Sequence, residues 1–126
     1  DELKEFNNSI TLLNSILEKK PYNEIAWFEL GKQYLKLKKN KEALSAFDFA
    51  IISEEKFVGA YIEKGKVLEK MGKLPEAIEH FEISLQFEDP SSFIYSKIGQ
   101  CHQKLKNNQI AAKFYKNSIW RGAKEC

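Results

Sequence analysis

Cys101 and His102 place a thiol and an imidazole side by side, and His80 and Cys126 complete the soft-ligand inventory. The chemistry such side chains could do is metal binding or nucleophilic attack. Successive residues of a helix point about 100° apart, so neighbours cannot both reach one ion. A structural zinc needs four converging Cys or His ligands. The expectation is therefore no metal site, with Cys101 a small buried residue and Cys126 exposed at the chain end. Glu54-Glu55 adjoin as carboxylates, but in a stretch that reads as a turn, with no cleft implied. There is no Gly-rich phosphate loop, no His-Glu-x-x-His helix and no nucleophile elbow. No catalytic residue and no cofactor site is expected, and the chain reads as a non-enzyme.

The elements that carry these residues follow from a repeat. Trp27-x-x-Leu30-Gly31-x-x-Tyr34 is followed by Ala43-x-x-x-Phe47, and the pattern returns twice at a step of 34 residues. Gly31, Gly65 and Gly99 share one phase, as do Ala43, Ala77 and Ala111. Trp27, Tyr61 and Tyr95 share another, and Phe47, Phe81 and Tyr115 a fourth. Apolar steps of three and four predict helices over Leu3–Lys19, Glu24–Leu37, Lys41–Ser53, Phe57–Met71, Pro75–Phe87, a segment ending near Lys106, and Gln109–Arg121. Pro21 closes the first. Lys39-Asn40 and Asn107-Asn108 are read as turns. Gly72 is read as a left-handed C-cap, and Asp89-Pro90 as a cap and first residue. Turns this short force antiparallel neighbours.

The chain has 126 residues, 43% hydrophobic and 30% charged, with 20 basic and 18 acidic residues and a net charge of +2. The signs are interspersed. Nucleic-acid binders usually carry a basic stripe; the Lys36, Lys38, Lys39, Lys41 run reads instead as a solvated helix end and turn. No apolar run approaches the roughly 20 residues that span a bilayer. Two cysteines do not make a disulfide framework, so a reducing, cytoplasmic setting is favoured. No Met starts the chain, and an excised or processed piece is expected.

A mid-helix glycine costs about 1 kcal/mol relative to alanine, so three in one phase need a reason. Close approach supplies one: each bare glycine lets the second helix of its hairpin come near, opposite Ala43, Ala77 or Ala111. The axes then sit at the low end of the usual range of about 8–10 Å. The aromatic residues fill the space beside these contacts.

The chain resembles the tetratricopeptide repeat family, whose pattern is W-x2-L-G-x2-Y, then A-x3-F, then P. The resemblance covers Glu24 to Glu125 as three repeats, 24–57, 58–91 and 92–125, in a single domain spanning 1–126. Repeat two departs at Lys64, Leu68 and Ser84, and repeat three has Ile98, His102 and Ser118 at those places. Residues 1–23 resemble the second helix of an earlier partial repeat, with Ser9 and Leu13 at its small and large positions. A slice of a longer array, or a bacterial member of the family, is what this suggests. The implied fold is all-α: a right-handed superhelical solenoid of antiparallel hairpins, seven helices in all.

The resemblance also implies that first helices line a concave face where an extended peptide or partner helix lies. Carried over by phase, the groove residues are Phe28, Glu29, Lys32 and Leu35 from repeat one. Repeat two gives Ile62, Glu63 and Lys66, and repeat three Phe93 and Lys97. Phe28, Leu35, Ile62 and Phe93 point to apolar anchors, and Lys32, Lys66 and Lys97 to acidic side chains on a protein or peptide partner. The bland alternative is that neighbouring repeats cover the apolar residues and that Glu29–Lys32 and Glu63–Lys66 are ordinary solvated pairs. Family members that clamp a chaperone's C-terminal carboxylate use a Lys/Asn set. Here those positions hold Phe28, Lys32, Glu63, Phe93 and Lys97, so no such clamp is expected. Two other readings stand beside peptide binding. Self-association through the chain ends is suggested by the unmated first helix and by Trp120, which stands where the family usually has a polar residue. RNA binding through the lysines would show a steep salt dependence, and the charge balance speaks against it.

Overall fold

The computed structural model describes residues 1–87 and 91–125. These form seven helices: α1 (Glu2–Lys19), α2 (Glu24–Lys36), α3 (Asn40–Ser53), α4 (Val58–Lys70), α5 (Leu74–Phe87), α6 (Ser92–Lys104) and α7 (Asn108–Glu125). Among the described residues there is no strand. The helix ends have local causes. The Asp1 carboxylate accepts from the Lys4 amide at 2.9 Å and the Asn23 side chain from the Ala26 amide at 3.0 Å, each satisfying a first-turn N–H that has no helical partner. The Asp89-Pro90 cap expected for α6 lies outside the described residues; Ser91 is the N-cap, accepting from Ile94. Cys126 also lies outside them.

The three hairpin turns are built alike. Each first helix ends with one residue in the left-handed region: Lys38 (φ 60°), Gly72 (φ 79°) and Lys106 (φ 65°). The following amide then reaches back to satisfy a carbonyl of the last turn. Lys39 donates to Tyr34 at 2.9 Å, Lys73 to Leu68 at 2.9 Å and Asn107 to His102 at 2.8 Å. This is the Schellman closure, and only the middle copy has the residue without a Cβ penalty. Asn40 and Asn108, expected in the turns, instead begin α3 and α7. The preceding Lys39 and Asn107 carbonyls already accept the first helical bonds, from Ala43 and Ala111.

The chain divides into two compact units, Asp1–Ala60 and Tyr61–Cys126, with the division inside α4. In unit 1 the buried Leu17, Ala26, Leu30 and Ala46 gather Ile10, Leu13, Ile16, Trp27 and Tyr34 around them. α1 thereby packs its stripe on the α2–α3 hairpin, and the Trp27 indole N–H donates to the Pro21 carbonyl at 2.8 Å. In unit 2 the buried set is Val67, Leu68, Ala77, Ile78, Phe81, Ile94, Ile98, Cys101 and Ala111. Ser84, polar where repeat one has Ala50, is buried without cost because its hydroxyl donates to the Phe81 carbonyl at 2.6 Å.

The in-phase glycines do mark close approach, though the partner differs from the expectation. What lies on each bare Cα is the aromatic ring four residues after the alanine. A Cβ on Gly31 would stand 2.5 Å from the Phe47 ring, on Gly65 2.6 Å from Phe81, and on Gly99 2.9 Å from Tyr115. Phe47 and Phe81 are fully buried by this arrangement. A large flat ring laid on a residue with no side chain excludes more water than two small residues facing each other.

Candidate functional site

The outward residues of the first helices divide between the two units. In unit 1, Phe28 is half-buried. Its ring centroid lies 5.0 Å from that of Phe57 and 5.7 Å from that of Phe47. Gly59 leaves room for its edge: a Cβ there would come within 3.2 Å of Phe28. The Lys32 ammonium sits over the open side of the ring at 4.8 Å and pairs with Glu29 at 3.0 Å. Leu35 is half-buried as well, and the exposed apolar residue of α2 is Ile25. Phe28 is therefore largely engaged in the packing of its own unit.

In unit 2 the corresponding chemistry faces solvent. Phe93, on the first turn of α6, is 46% exposed. The Lys66 ammonium lies 5.9 Å and the Lys97 ammonium 5.8 Å from its ring centroid. Ile62 on α4 is half-buried. Lys66 pairs with Glu63 at 3.2 Å on its own helix, while Lys97 reaches across to Glu69 on α4 at 3.0 Å. Ile62, Glu63 and Lys66 come from α4 and Phe93 and Lys97 from α6, and the two ammonium groups converge on one ring. A half-exposed ring with two ammonium groups over it can meet an apolar side chain along its exposed part and a carboxylate beside it. By the 34-residue step Glu69 falls at the position of Leu35. Local spacing offers it Lys66, Lys70 and Lys73, and gives no sign of a partner 28 residues away.

Cys101 is fully buried, and its thiol is pushed from an ordinary 9.0 up to about 11, by burial first and the Glu69 carboxylate second. It stays a thiol at neutral pH. His102 stacks on Phe114 at 5.7 Å, filling the place of the signature tyrosine. Among the described residues no three His, Cys, Asp or Glu side chains gather as a metal site, and no helix is long and apolar enough to cross a membrane.

No protein-family model matches the chain, and no curated protein matches its sequence. Solved structures do resemble it. MamA from Desulfovibrio magneticus RS-1 is similar at a TM-score of 0.84 and 17% identity, over 98% of this chain and 70% of that one. YrrB, described as a TPR protein with an unusual peptide-binding site, is similar at a TM-score of 0.78 and 17% identity, over 86% of this chain and 56% of that one. A chain of the APC/C hetero-tetramer Cut9-Hcn1 is similar at a TM-score of 0.80 and 21% identity, over 93% of this chain and 22% of that one. The fold is that of the tetratricopeptide repeat proteins.

Proposed function

We propose that this tetratricopeptide-fold chain is a non-catalytic protein-interaction module that holds a peptide or helix of a partner against its first helices. The observation that carries the reading is Phe93, a large aromatic side chain nearly half exposed and flanked by Lys66 and Lys97. Aromatic side chains are enriched at interface cores and hot spots, and the two lysines add charge that can orient a partner's carboxylate. One structural neighbour is described by its peptide-binding site and another as part of a hetero-tetramer, which supports an interaction role for the fold. Phe28, Glu29, Lys32 and Leu35 in unit 1 and Ile62, Glu63, Lys66, Phe93 and Lys97 in unit 2 are the residues assigned to it, with Phe93 foremost. A random-peptide display selection on the purified chain tests this. Recovered peptides should carry an acidic residue next to an apolar one, and Phe93→Ala should weaken them about tenfold, roughly 1.4 kcal/mol, with the fold unchanged. Peptides indifferent to Phe93 would reject the assignment.

Self-association is the second reading. It is favoured by Ile119 and Trp120 on α7, 75% and 54% exposed. Ile51 and Leu85, in phase with Ile119, are half-buried. Light scattering over a concentration series should then show a mass that rises, and that Ile119→Lys returns to the monomer; a concentration-independent monomer would exclude it.

A further inference from the structure

Glu69 sits in the last turn of α4, and its side chain is only 8% exposed. Three groups from α6 converge on it. Lys97 reaches Oε1 at 3.0 Å, Lys104 reaches Oε2 at 3.6 Å, and the Cys101 thiol lies 3.8 Å from Oε2. Steps of four and three put residues 97, 101 and 104 on one face of α6. Without Lys97 this deep carboxylate would keep only the longer contact to the more exposed Lys104, and weakening the pairing of a buried charge is unfavourable. Lys97 is therefore fixed. Lys66 is held differently. Its carboxylate, Glu63, is three residues earlier on the same helix, and Lys66 itself is 42% exposed. Pairs at this spacing contribute little, and with Glu63 21% and Lys66 42% exposed this one gives way more easily than the pair at Glu69.

We infer that Glu69 is a positioning residue that sorts the two ammonium groups beside Phe93, fixing Lys97 as frame and leaving Lys66 to trade Glu63 for a carboxylate of the partner. The inference rests on Phe93 as the anchor and narrows the ligand. Three ammonium groups (Lys66, Lys97, Lys104) face two carboxylates (Glu63, Glu69). One positive charge remains, which suits a segment with a single Asp or Glu next to an apolar side chain and not a run of acidic residues.

The sorting can be read without a ligand, from the ammonium signals of isotope-labelled lysine in NMR. In the wild-type chain Lys97 should show slowed ammonium hydrogen exchange and Lys66 should not; in Glu69→Gln Lys97 should become fast. Equal exchange of the two in the wild type overturns the inference. The ligand half uses two labelled probes, Ac-Ala-Leu-Glu-Phe-Ala-amide and the same peptide with Gln for Glu. The Glu probe should bind about tenfold tighter, Lys66→Met should erase the difference, and Glu69→Gln should tighten the Glu probe severalfold as a second ammonium becomes free. If Glu69→Gln weakens both probes equally, the residue only supports the fold and the inference fails. If the wild type binds neither probe while Lys97 remains slow, the reading of Phe93 as an anchor falls, and the ligand chemistry named here falls with it.

Discussion

Phe28 and Phe93 are both aromatic, both on first helices, and both accompanied by lysine, yet they do different work. Phe28 stands in the second turn of α2, and two other rings, Phe47 and Phe57, close on it within unit 1. Phe93 stands in the first turn of α6, where its ring is met by two ammonium groups and solvent. In the repeat the position of Phe28 is shared by Ile62 and Ser96, and that of Phe93 by Ile25 and Gly59. Gly59 is the reason Phe28 can sink: its missing side chain leaves the space the ring edge takes. An aromatic side chain at an outward position can thus be drawn into its own unit where a small residue offers it a seat, as Phe28 is, or stay exposed, as Phe93 is.

That contrast is broken or sharpened most directly by truncation. Phe28→Ala should cost about 2 kcal/mol of stability, somewhat less than a fully buried ring, measured by urea denaturation. Phe93→Ala should cost within about 0.5 kcal/mol, as surface changes do. Equal losses at the two sites would mean that Phe93 is also structural. The rings under the glycines give the next effect. Gly31→Ala forces a Cβ to 2.5 Å from the fully buried Phe47, while Gly99→Ala meets the half-buried Tyr115 at 2.9 Å. Overpacking typically costs about 1–3 kcal/mol, and the better helix propensity of alanine returns up to about 1 kcal/mol. Gly31→Ala should therefore destabilise clearly and Gly99→Ala hardly at all, read as a difference in melting temperature.

Alkaline pH separates the units in another way, because the buried thiol belongs to unit 2. The folded chain keeps the Cys101 proton up to about 11, while an unfolded chain releases it near 9.0. Its contribution to stability is thus complete below pH 9 and is lost as pH rises toward 11. Thermal melts across that window should fall less steeply for Cys101→Ala than for the wild type. The smallest expected change is a gain. Lys38 and Lys106 hold the left-handed conformation that Gly72 holds without strain. Lys38→Gly and Lys106→Gly should each stabilise by up to about 1 kcal/mol, and a loss at either would show that its lysine side chain contributes more than the strain costs.

Much of the fold was legible because a 34-residue step repeats residue size as well as polarity. Gly31, Gly65 and Gly99 announced close approach, and Gly72 announced its positive φ. The glycines' true partners were not legible. Residue size pointed to Ala43, and only the relative rotation of two helices lays the Phe47 ring on the glycine instead. Lys38 and Lys106 were equally silent, since a lysine gives no sign that its backbone will be left-handed. The surface was legible as a set of phases. Phe28, Ile62 and Phe93 could be named as outward, but their burial could not, because burial depends on what arrives from another helix.

What the sequence determined by itself is therefore the periodic part: the seven helices of the described residues, their pairing into hairpins, and the apolar stripe each one carries. These follow from local propensity and spacing, which a chain carries wherever it goes. What the tertiary structure decided is which side chains meet across that framework. Glu69 could have paired with three lysines within four residues, yet it takes Lys97 and Lys104 from α6. Electrostatic partners are chosen by distance and by shielding from water, and both exist only once the helices are packed.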